Sequence, residues 1–361
     1  MKFFGSVALL ASLVVAAPSA VKDNAASPLN VKVEMTGNSL VTAVFTNTGQ
    51  DDLKLLKTGT VFSKQATRKA RVSSNGKELA FEGEYVSVDL ENLSDAAFQP
   101  IAAGQSVEVK FDIAEVHDLS AGGKYILHAT GRLPYAKGGE TKISGSVSYS
   151  SNKLEAMVDG KRAAGLLLSF MKRANVQDCE GSKLAALKTA IANCKKLASA
   201  AQEAANSGPD GRMDEYFKSS SKSTRSTVSD IYSKVQGQCS STDSGTKASC
   251  YNDHGQCDKG ALAVTTSGKT TVFCDNFFSN LPAVADQCHA KSQATSFLHE
   301  TTHIRAVAGT DDVAYGYDDL RKLSAEDAIR NADTFALFAN AVDLGCAVPA
   351  SGAAGQEDTD E

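Results

Sequence analysis

The cysteines of this chain are confined to its second half. All eight lie between residues 179 and 346, and none precedes Cys179. In an exported protein, an even number of cysteines usually forms disulfides, which stabilise a domain outside the cell. We therefore expect the second half to be a disulfide-cross-linked domain, and the cysteine-free first half to be a unit of another kind.

The first residues are typical of a cleaved signal peptide. Lys2 precedes an apolar run over residues 6–17, which ends in the small residues of Ala16-Ala-Pro-Ser-Ala20. The run is too short to span a bilayer, and no later stretch has the composition of a transmembrane helix. We predict a signal peptide over residues 1–19 and a secreted, extracellular protein without a membrane segment.

Short runs that alternate apolar and polar residues occur throughout residues 28–150. Such alternation predicts strands that bury one face, and glycine-containing turns separate the runs. The architecture that we predict for this half is an all-β sandwich. Its histidines, His117 and His128, have no metal-ligand spacing, so we interpret both as structural and expect no chemistry here. The clearest of the runs cover residues 29–35, 39–46, 106–112 and 124–130.

A dibasic pair, Lys172-Arg173, lies just before the first cysteine. Residues 1–173 contain 20 lysines and arginines against 17 aspartates and glutamates, whereas residues 174–361 contain 17 against 25. We interpret residues 20–173 as a propeptide that a kexin-like processing protease releases. The mature domain is then 174–361, with an acidic tail, about 350–361, that we expect to be disordered. A slightly basic propeptide would be attracted to the acidic mature half at short range, and no nucleic-acid-binding patch is visible.

Helical patterns dominate the second half. They predict helices over residues 183–206, 212–235, 292–307 and 324–344, the first two as an antiparallel pair and the last with Ser324 as its N-cap. Residues 261–266 and 269–274 flank Ser267-Gly268 and therefore predict a β-hairpin. An exposed edge strand of such a hairpin can align an extended peptide. This half is therefore predicted to be mainly α with a small β-hairpin or sheet.

The sequence His299-Glu-Thr-Thr-His303 predicts a metal site. On a helix, the two imidazoles leave the same face and can bind one cation, with Glu300 beside them. A catalytic zinc site usually has three protein ligands and one position for water. Asp312 is our candidate third ligand, because Gly309 lets the chain turn back towards the helix. We expect its neighbour, Asp311, to cap the backbone of the turn.

The spacing excludes two common classes of zinc peptidase. A third histidine in the metzincin pattern would lie at position 309, which is glycine. A thermolysin-like enzyme would have an aspartate four residues after a ligand glutamate, and Arg330 occupies that position after Glu326. A structural or inactive zinc site in a secreted binding protein is the alternative, although Glu300, with no further cysteine or histidine ligand nearby, disfavours it. His254 and His289 are the only other histidines of this half, and we interpret His289 as structural.

What remains resembles the aspzincin metallopeptidases. Their motif is HExxH followed by GTxDxxYG, and the second part matches Gly309-Thr-Asp-Asp-Val-Ala-Tyr-Gly316 of this chain. The sequences after Cys288 and at Asn331–Ala339 look like deuterolysin, a fungal neutral protease of that group. The similarity covers Asp178–Cys346. It implies a zincin-like zinc metalloendopeptidase with one Zn²⁺ per chain, acting on proteins and peptides and favouring basic ones.

The resemblance also implies roles for individual residues. Glu300 would be the general base, Tyr315 the donor that stabilises the oxyanion, and Asp333 the acceptor for the second ring N–H of a metal-bound histidine. Ala336 replaces the glutamate of the lysine-selective branch, so a dedicated lysine pocket is not expected. The six cysteines shared with deuterolysins would pair as Cys179–Cys250, Cys257–Cys274 and Cys288–Cys346. Cys194 and Cys239 depart from that pattern, and whether they form a fourth bridge is left open.

Overall fold

The structure is a computed structural model that describes residues 27–171, 179–240, 247–252, 255–266 and 270–348. The predicted signal peptide, Lys172-Arg173, His254, the hairpin turn and the acidic tail lie outside these ranges. Within them, no helix is long and apolar enough to cross a membrane.

The first half is built from strands followed by one helix. Its four predicted strands all form. Three antiparallel sheets have the orders β1-β2-β8, β11-β10-β3-β7 and β12-β9-β4-β5, and β6 belongs to none of them. The elements are β1 (Leu29–Met35), β2 (Leu40–Asn47), β3 (Leu53–Leu56), β4 (Arg71–Ser74), β5 (Lys77–Glu78), β6 (Glu84–Val88), β7 (Phe98–Ile101), β8 (Ser106–Asp112), β9 (Gly123–His128), β10 (Thr130–Ala136), β11 (Ile143–Ser150), β12 (Leu154–Val158) and α1 (Gly160–Met171).

Helix α1 differs from the all-β prediction for this half. Ala163, Leu166 and Phe170 follow one another at helical spacing. Ala163 and Leu166 pack against the apolar core of the sheets, and Phe170 is buried as well. The apolar residues repeat with a helical period over this short stretch only, and the alternating pattern of the preceding strands makes the change of period difficult to detect.

The second half is mainly helical, with one small sheet. Helices α2, α6 and α9 pack against one another and form the centre of its core. The elements are α2 (Gly181–Ser207), α3 (Asp210–Phe217), α4 (Lys222–Gln238), β13 (Lys247–Ser249), β14 (Ala261–Thr266), β15 (Thr270–Phe273), α5 (Asp275–Asn280), α6 (Gln293–Thr302), α7 (Tyr317–Leu320), α8 (Ala325–Arg330) and α9 (Ala332–Asp343).

Two predicted helices are each divided in two. The helix predicted over residues 212–235 is interrupted at Lys218, which has a left-handed backbone (φ 58°), and α4 begins after its N-cap Ser221. The last helix is interrupted at Asn331, whose backbone is extended (φ −98°, ψ 122°). Ser324 caps α8 as predicted, by accepting a hydrogen bond from the Asp327 N–H. The apolar periodicity runs through both breaks and therefore does not report them.

The eight cysteines form four disulfides, and three of these join the six cysteines as the resemblance implies. The bridge left open is present: Cys194 and Cys239 are joined, with their Cα atoms 6.0 Å apart. It connects α2 to the end of α4, in agreement with the predicted antiparallel pair. The other bridges are Cys179–Cys250, Cys257–Cys274 and Cys288–Cys346.

One sheet is shared by the two halves of the chain. Its order is β13-β15-β14-β6, and β14 pairs antiparallel with β15 on one side and with β6 on the other. The predicted hairpin therefore forms, but β14 is not an exposed edge strand, because residues 84–88 of the first half cover it. An apolar cluster follows the same boundary, with Val86, Val88 and Phe98 from the first half and Val264 and Tyr315 from the second.

Candidate metal centre

Helix α6 carries the first histidine of the motif. Ser292 caps the helix in a reciprocal capping box with Thr295, which ties the first turn. All ten residues of α6 are buried. The helix ends at Thr302, earlier than predicted, so His303 is its C-cap rather than an interior residue. Its backbone is still helical (φ −67°, ψ −20°), and the i, i+4 relation of the two imidazoles is therefore kept.

His299, His303 and Asp312 converge on one point. The Nε2 atoms of His299 and His303 lie 3.0 and 3.4 Å from Oδ1 of Asp312. None of these three buried atoms has a hydrogen-bond partner among the described residues. Zinc bonds of about 2.0–2.1 Å at tetrahedral angles place two ligand atoms roughly 3.3 Å apart. The three side chains therefore fit a zinc ion, with the residue types and the spacing that it requires.

The charges of the site also favour a cation. Burial lowers the pKa of His299, but the carboxylates of Asp312 and Asp333 outweigh it and raise this pKa to about 10. The pKa of His303 is raised as well, against burial, chiefly by Asp312. The surroundings therefore stabilise positive charge between the two imidazoles and the carboxylate of Asp312.

The loop between α6 and α7 brings Asp312 back to the histidines. Gly309 adopts the left-handed backbone that this turn needs (φ 63°). The Thr310 carbonyl then accepts the hydrogen bond from Nδ1–H of His303 (2.9 Å), which leaves Nε2 facing the metal site. Asn331, at the break before α9, accepts hydrogen bonds from the N–H groups of Val313 and Ala314 at 3.0 Å each. The interruption of the last helix therefore holds the ligand loop.

Asp333 lies beside His299, where the resemblance implies it. Its carboxylate accepts from Nδ1–H of His299 at 2.7 Å and from the Gly316 N–H at 2.9 Å, and the Lys291 ammonium is 3.5 Å away. Burial raises the pKa of Asp333, but Lys291 and the hydrogen bond from His299 outweigh burial and hold this pKa well below its usual range. An ionised Asp333 orients the His299 ring with Nε2 towards the metal site.

Glu300 is buried next to the histidines. Its Oε2 accepts a hydrogen bond from the Thr265 hydroxyl at 2.6 Å, and its Oε1 has no hydrogen-bond partner among the described residues. Burial is the largest cause of a raised pKa of Glu300. A carboxylate with a raised pKa and one free oxygen can accept a proton from a nearby water.

Tyr315 is also buried, with its hydroxyl at the metal site. Burial, and then the charge of Asp312, raise the pKa of this phenol well above its usual value. Tyr315 is therefore protonated and can donate a hydrogen bond. Its hydroxyl donates to the Val86 carbonyl of the first half at 2.7 Å.

The expectation for Asp311 was wrong. Its carboxylate does not cap the turn, and lies 2.8 Å from the Arg68 guanidinium and 2.6 Å from that of Arg330. Adjacent residues of an extended chain point in opposite directions. Asp311 therefore faces the arginines, and Asp312 faces the histidines.

The first half, in which no chemistry was expected, supplies a side chain that packs against the site. The Tyr85 ring stacks on the His303 ring, with centroids 4.3 Å apart and planes at 9°. Sequence reasoning likewise missed Thr265 and Lys291. The hairpin strand that contains Thr265 was predicted, but alternation alone does not tell which face of it meets α6. His117, His128 and His289 all lie away from the site. Nδ1–H of His117 donates to the Ala80 carbonyl, His128 contacts Ser150, and His289 stacks on Tyr317.

The family comparison agrees with this geometry. The model of the deuterolysin metalloprotease (M35) family matches residues 2–346. The chain belongs to this family. It is accordingly a zinc metalloendopeptidase, with Zn²⁺ as its cofactor.

Curated relatives of this family match along almost their whole length. A neutral protease 2 homolog of Colletotrichum graminicola is 42% identical over 351 residues, which are 96% of this chain and 100% of that protein. One from Phaeosphaeria nodorum is 43% identical and covers 94% of this chain and 98% of its own. The neutral protease 2 of Aspergillus oryzae is 38% identical, with coverages of 93% and 97%. A solved zinc peptidase from Grifola frondosa is similar at 23% identity and a TM-score of 0.38, over 45% of this chain and 97% of that chain.

Proposed function

We propose that this chain is the precursor of a secreted endopeptidase that binds zinc through His299, His303 and Asp312. The observation that carries the proposal is the convergence of three buried ligand atoms that lack hydrogen-bond partners in the part of the chain that the structure describes. Glu300, the neighbour of His299 in the chain, is buried as well, and its Oε1 has no hydrogen-bond partner among the described residues. A structural site would use a fourth protein ligand, and the described residues around these three offer no further cysteine or histidine.

The chain's own residues supply the proton transfers and the stabilisation of charge. When bound, zinc polarises the scissile carbonyl and lowers the pKa of water. Glu300 takes the proton from the attacking water and passes it to the leaving amine. Tyr315 donates a hydrogen bond to the carbonyl oxygen as negative charge develops there. Asp333 keeps Nδ1 of His299 protonated, so that Nε2 is available as a ligand.

We further propose that residues 1–19 are a signal peptide and residues 20–173 a propeptide with a strand-rich, sandwich-like fold. Cleavage after Lys172-Arg173 by a kexin-like protease would leave the mature enzyme, 174–361. Two observations support this division: all cysteines lie beyond the dibasic pair, and the first half covers the metal site. The acidic balance of residues 174–361 supports a preference for basic protein substrates.

Metal analysis combined with a casein assay tests the catalytic proposal. The purified secreted enzyme should contain one zinc per chain, lose caseinolytic activity with a zinc chelator and regain it when zinc is restored. Zinc that is present without hydrolysis of casein or of a panel of peptides would favour a structural or inactive site instead.

N-terminal sequencing tests the processing proposal. The active secreted enzyme should begin close to Ala174, and the double substitution Lys172→Ala with Arg173→Ala should yield a larger, latent precursor. Fully active enzyme that begins near Ala20 would overturn the division into propeptide and mature domain.

A further inference from the structure

Strand β6 of the first half lies in the cleft beside the metal site. Its five residues pair antiparallel with β14, with Val264 opposite Val86 and Thr265 opposite Tyr85. On its other side are Asp312 and Tyr315. The strand is therefore held between a sheet and the residues proposed to perform catalysis, which is how an extended peptide binds by strand addition.

The backbone of Val86 faces the metal site directly. Its N–H donates to Oδ2 of Asp312 at 3.2 Å, and its carbonyl accepts from the Tyr315 hydroxyl at 2.7 Å. In an antiparallel ladder, the N–H and C=O of one residue point to the same side, and the next residue points to the other. Val86 therefore presents both groups to the site, whereas its neighbours Tyr85 and Ser87 present theirs to β14.

Side chains of the first half cover the rest of the site. The Tyr85 ring stacks on His303, and the Arg68 guanidinium is paired with Asp311, next to the ligand Asp312. Arg71 adds a second positive charge 3.8 Å from Asp311. Tyr85 therefore restricts access to His303, and the two arginines restrict access to the loop that carries Asp312.

Contacts on both sides of β6 hold it in register. After the strand, the Asp89 N–H donates to the Gly260 carbonyl at 2.7 Å, and Asn280 donates to the Asp89 carboxylate at 2.8 Å. Before it, Glu82 is ion-paired with Arg305 at 2.5 Å. The strand is thus anchored to the second half at its two ends as well as along β14.

We propose that residues 84–88 occupy the place of the substrate backbone in the precursor. A substrate of the processed enzyme would then pair with β14 in the same antiparallel direction, with a peptide carbonyl at the position of the Val86 carbonyl, facing Tyr315. This inference rests on the proposed function, since it requires that residues 20–173 are removed. Because the strand belongs to the same chain, its effective concentration in the cleft is in the millimolar range or above, and it therefore keeps substrate out until release.

A proline at position 86 tests the inference in the full-length precursor. The background is the precursor with Lys172→Ala and Arg173→Ala, loaded with zinc. Val86→Pro removes the N–H that donates to Asp312. It leaves in place every N–H of the strand that faces β14. Losing a hydrogen bond to a charged acceptor weakens binding by about tenfold or more, so hydrolysis of a short fluorogenic peptide should rise about tenfold. The matched control, Val86→Ala, keeps the N–H and adds no polar group to the apolar cluster, so the difference in latency between the proline and alanine variants reports the backbone hydrogen bond.

A peptide gives a second measurement that does not depend on the folding of the proline variant. A capped peptide of residues 82–90 should inhibit the processed enzyme competitively, and the same peptide with an N-methyl group at Val86 should inhibit at least about tenfold more weakly. Hydrogen exchange gives a readout without catalysis. The amides of residues 261–266 that face β6 should exchange slowly in the precursor, faster in the processed enzyme, and slowly again when the peptide is added, with or without zinc.

The outcomes separate this inference from the proposed function. A processed enzyme that binds zinc but hydrolyses nothing would refute the proposed function, while the exchange of residues 261–266 would still report where the strand binds. If the processed enzyme is active, the inference is overturned by three results together: a Val86→Pro precursor as latent as its parent, no competition by the peptide, and equal exchange of β14 before and after processing.

Discussion

The choice between two adjacent aspartates tests the metal site most directly. Oδ1 of Asp312 lies 3.0 and 3.4 Å from the two histidine Nε2 atoms. The carboxylate of Asp311 lies 2.6 and 2.8 Å from two arginines. Asp312→Ala should therefore remove a zinc ligand, and Asp311→Ala should not.

The size of the effect follows from sharing the free energy of zinc binding among the ligands. Structural zinc sites bind with about 10–16 kcal/mol. Divided over four ligands, one ligand contributes roughly 3–4 kcal/mol, or about 10²–10³ in Kd. Asp312→Asn should fall between Ala and the parent, because it keeps an oxygen but loses the negative charge.

Thermal stability provides a separate measurement for Asp311. In the precursor, Asp311→Ala leaves Arg68 and Arg330 without their shared carboxylate. The side chains of these arginines are 21% and 33% exposed, which reduces the cost to about 1–2 kcal/mol. Zinc affinity, measured by chelator competition on the processed variants, and thermal unfolding of the precursors check the two effects. A parent-like zinc affinity in Asp312→Ala would refute the ligand assignment, and Asp333 would then be the next residue to test.

Three further predictions concern the neighbouring groups. Glu300→Gln should keep zinc and the hydrogen bond from Thr265 but lower kcat by at least ~10²-fold, because a carboxamide cannot accept the proton; normal turnover would remove Glu300 from the mechanism. Asp333→Ala should weaken zinc binding about 10–100-fold in chelator competition, because His299 loses its acceptor, whereas unchanged affinity would make that contact irrelevant to the metal. Burial lowers the pKa of His117 from 6.5 to about 4, so the unfolded chain gains a proton at a higher pH than the folded chain does. The free energy of unfolding of the precursor should therefore fall by up to about 3 kcal/mol between pH 6.5 and pH 4. In thermal unfolding across that range, His117→Asn should flatten this dependence, and a parent-like slope would exclude His117 as its origin.

Local patterns in the sequence predicted which residues converge at the candidate metal site. His299 and His303 meet because residues four apart share a helix face, which is a property of the helix alone. Gly309 allows the turn that returns Asp312, because glycine adopts a left-handed backbone without strain. The strands of the first half were equally predictable, since alternation with a period of two reports which side chains are buried.

The helix boundaries depended on interactions between distant residues. The break at Asn331 exists because its side chain accepts from Val313 and Ala314 in the ligand loop, and the apolar period runs through it unchanged. The ion pair between Asp311 and Arg68 could not be predicted either, because Arg68 is far away in sequence. An aspartate in a turn can equally well accept hydrogen bonds from the turn backbone.

The zinc motif, the disulfide-rich second half and the strand-rich first half could all be predicted from the amino-acid sequence, because each depends on the spacing of residue types. The pairing of β6 with β14, which places the Val86 backbone against Asp312 and Tyr315, is visible only in the folded chain. Backbone hydrogen bonds between strands are nearly independent of side-chain identity. A strand pattern therefore shows that a strand forms, and only the fold shows which strand it pairs with.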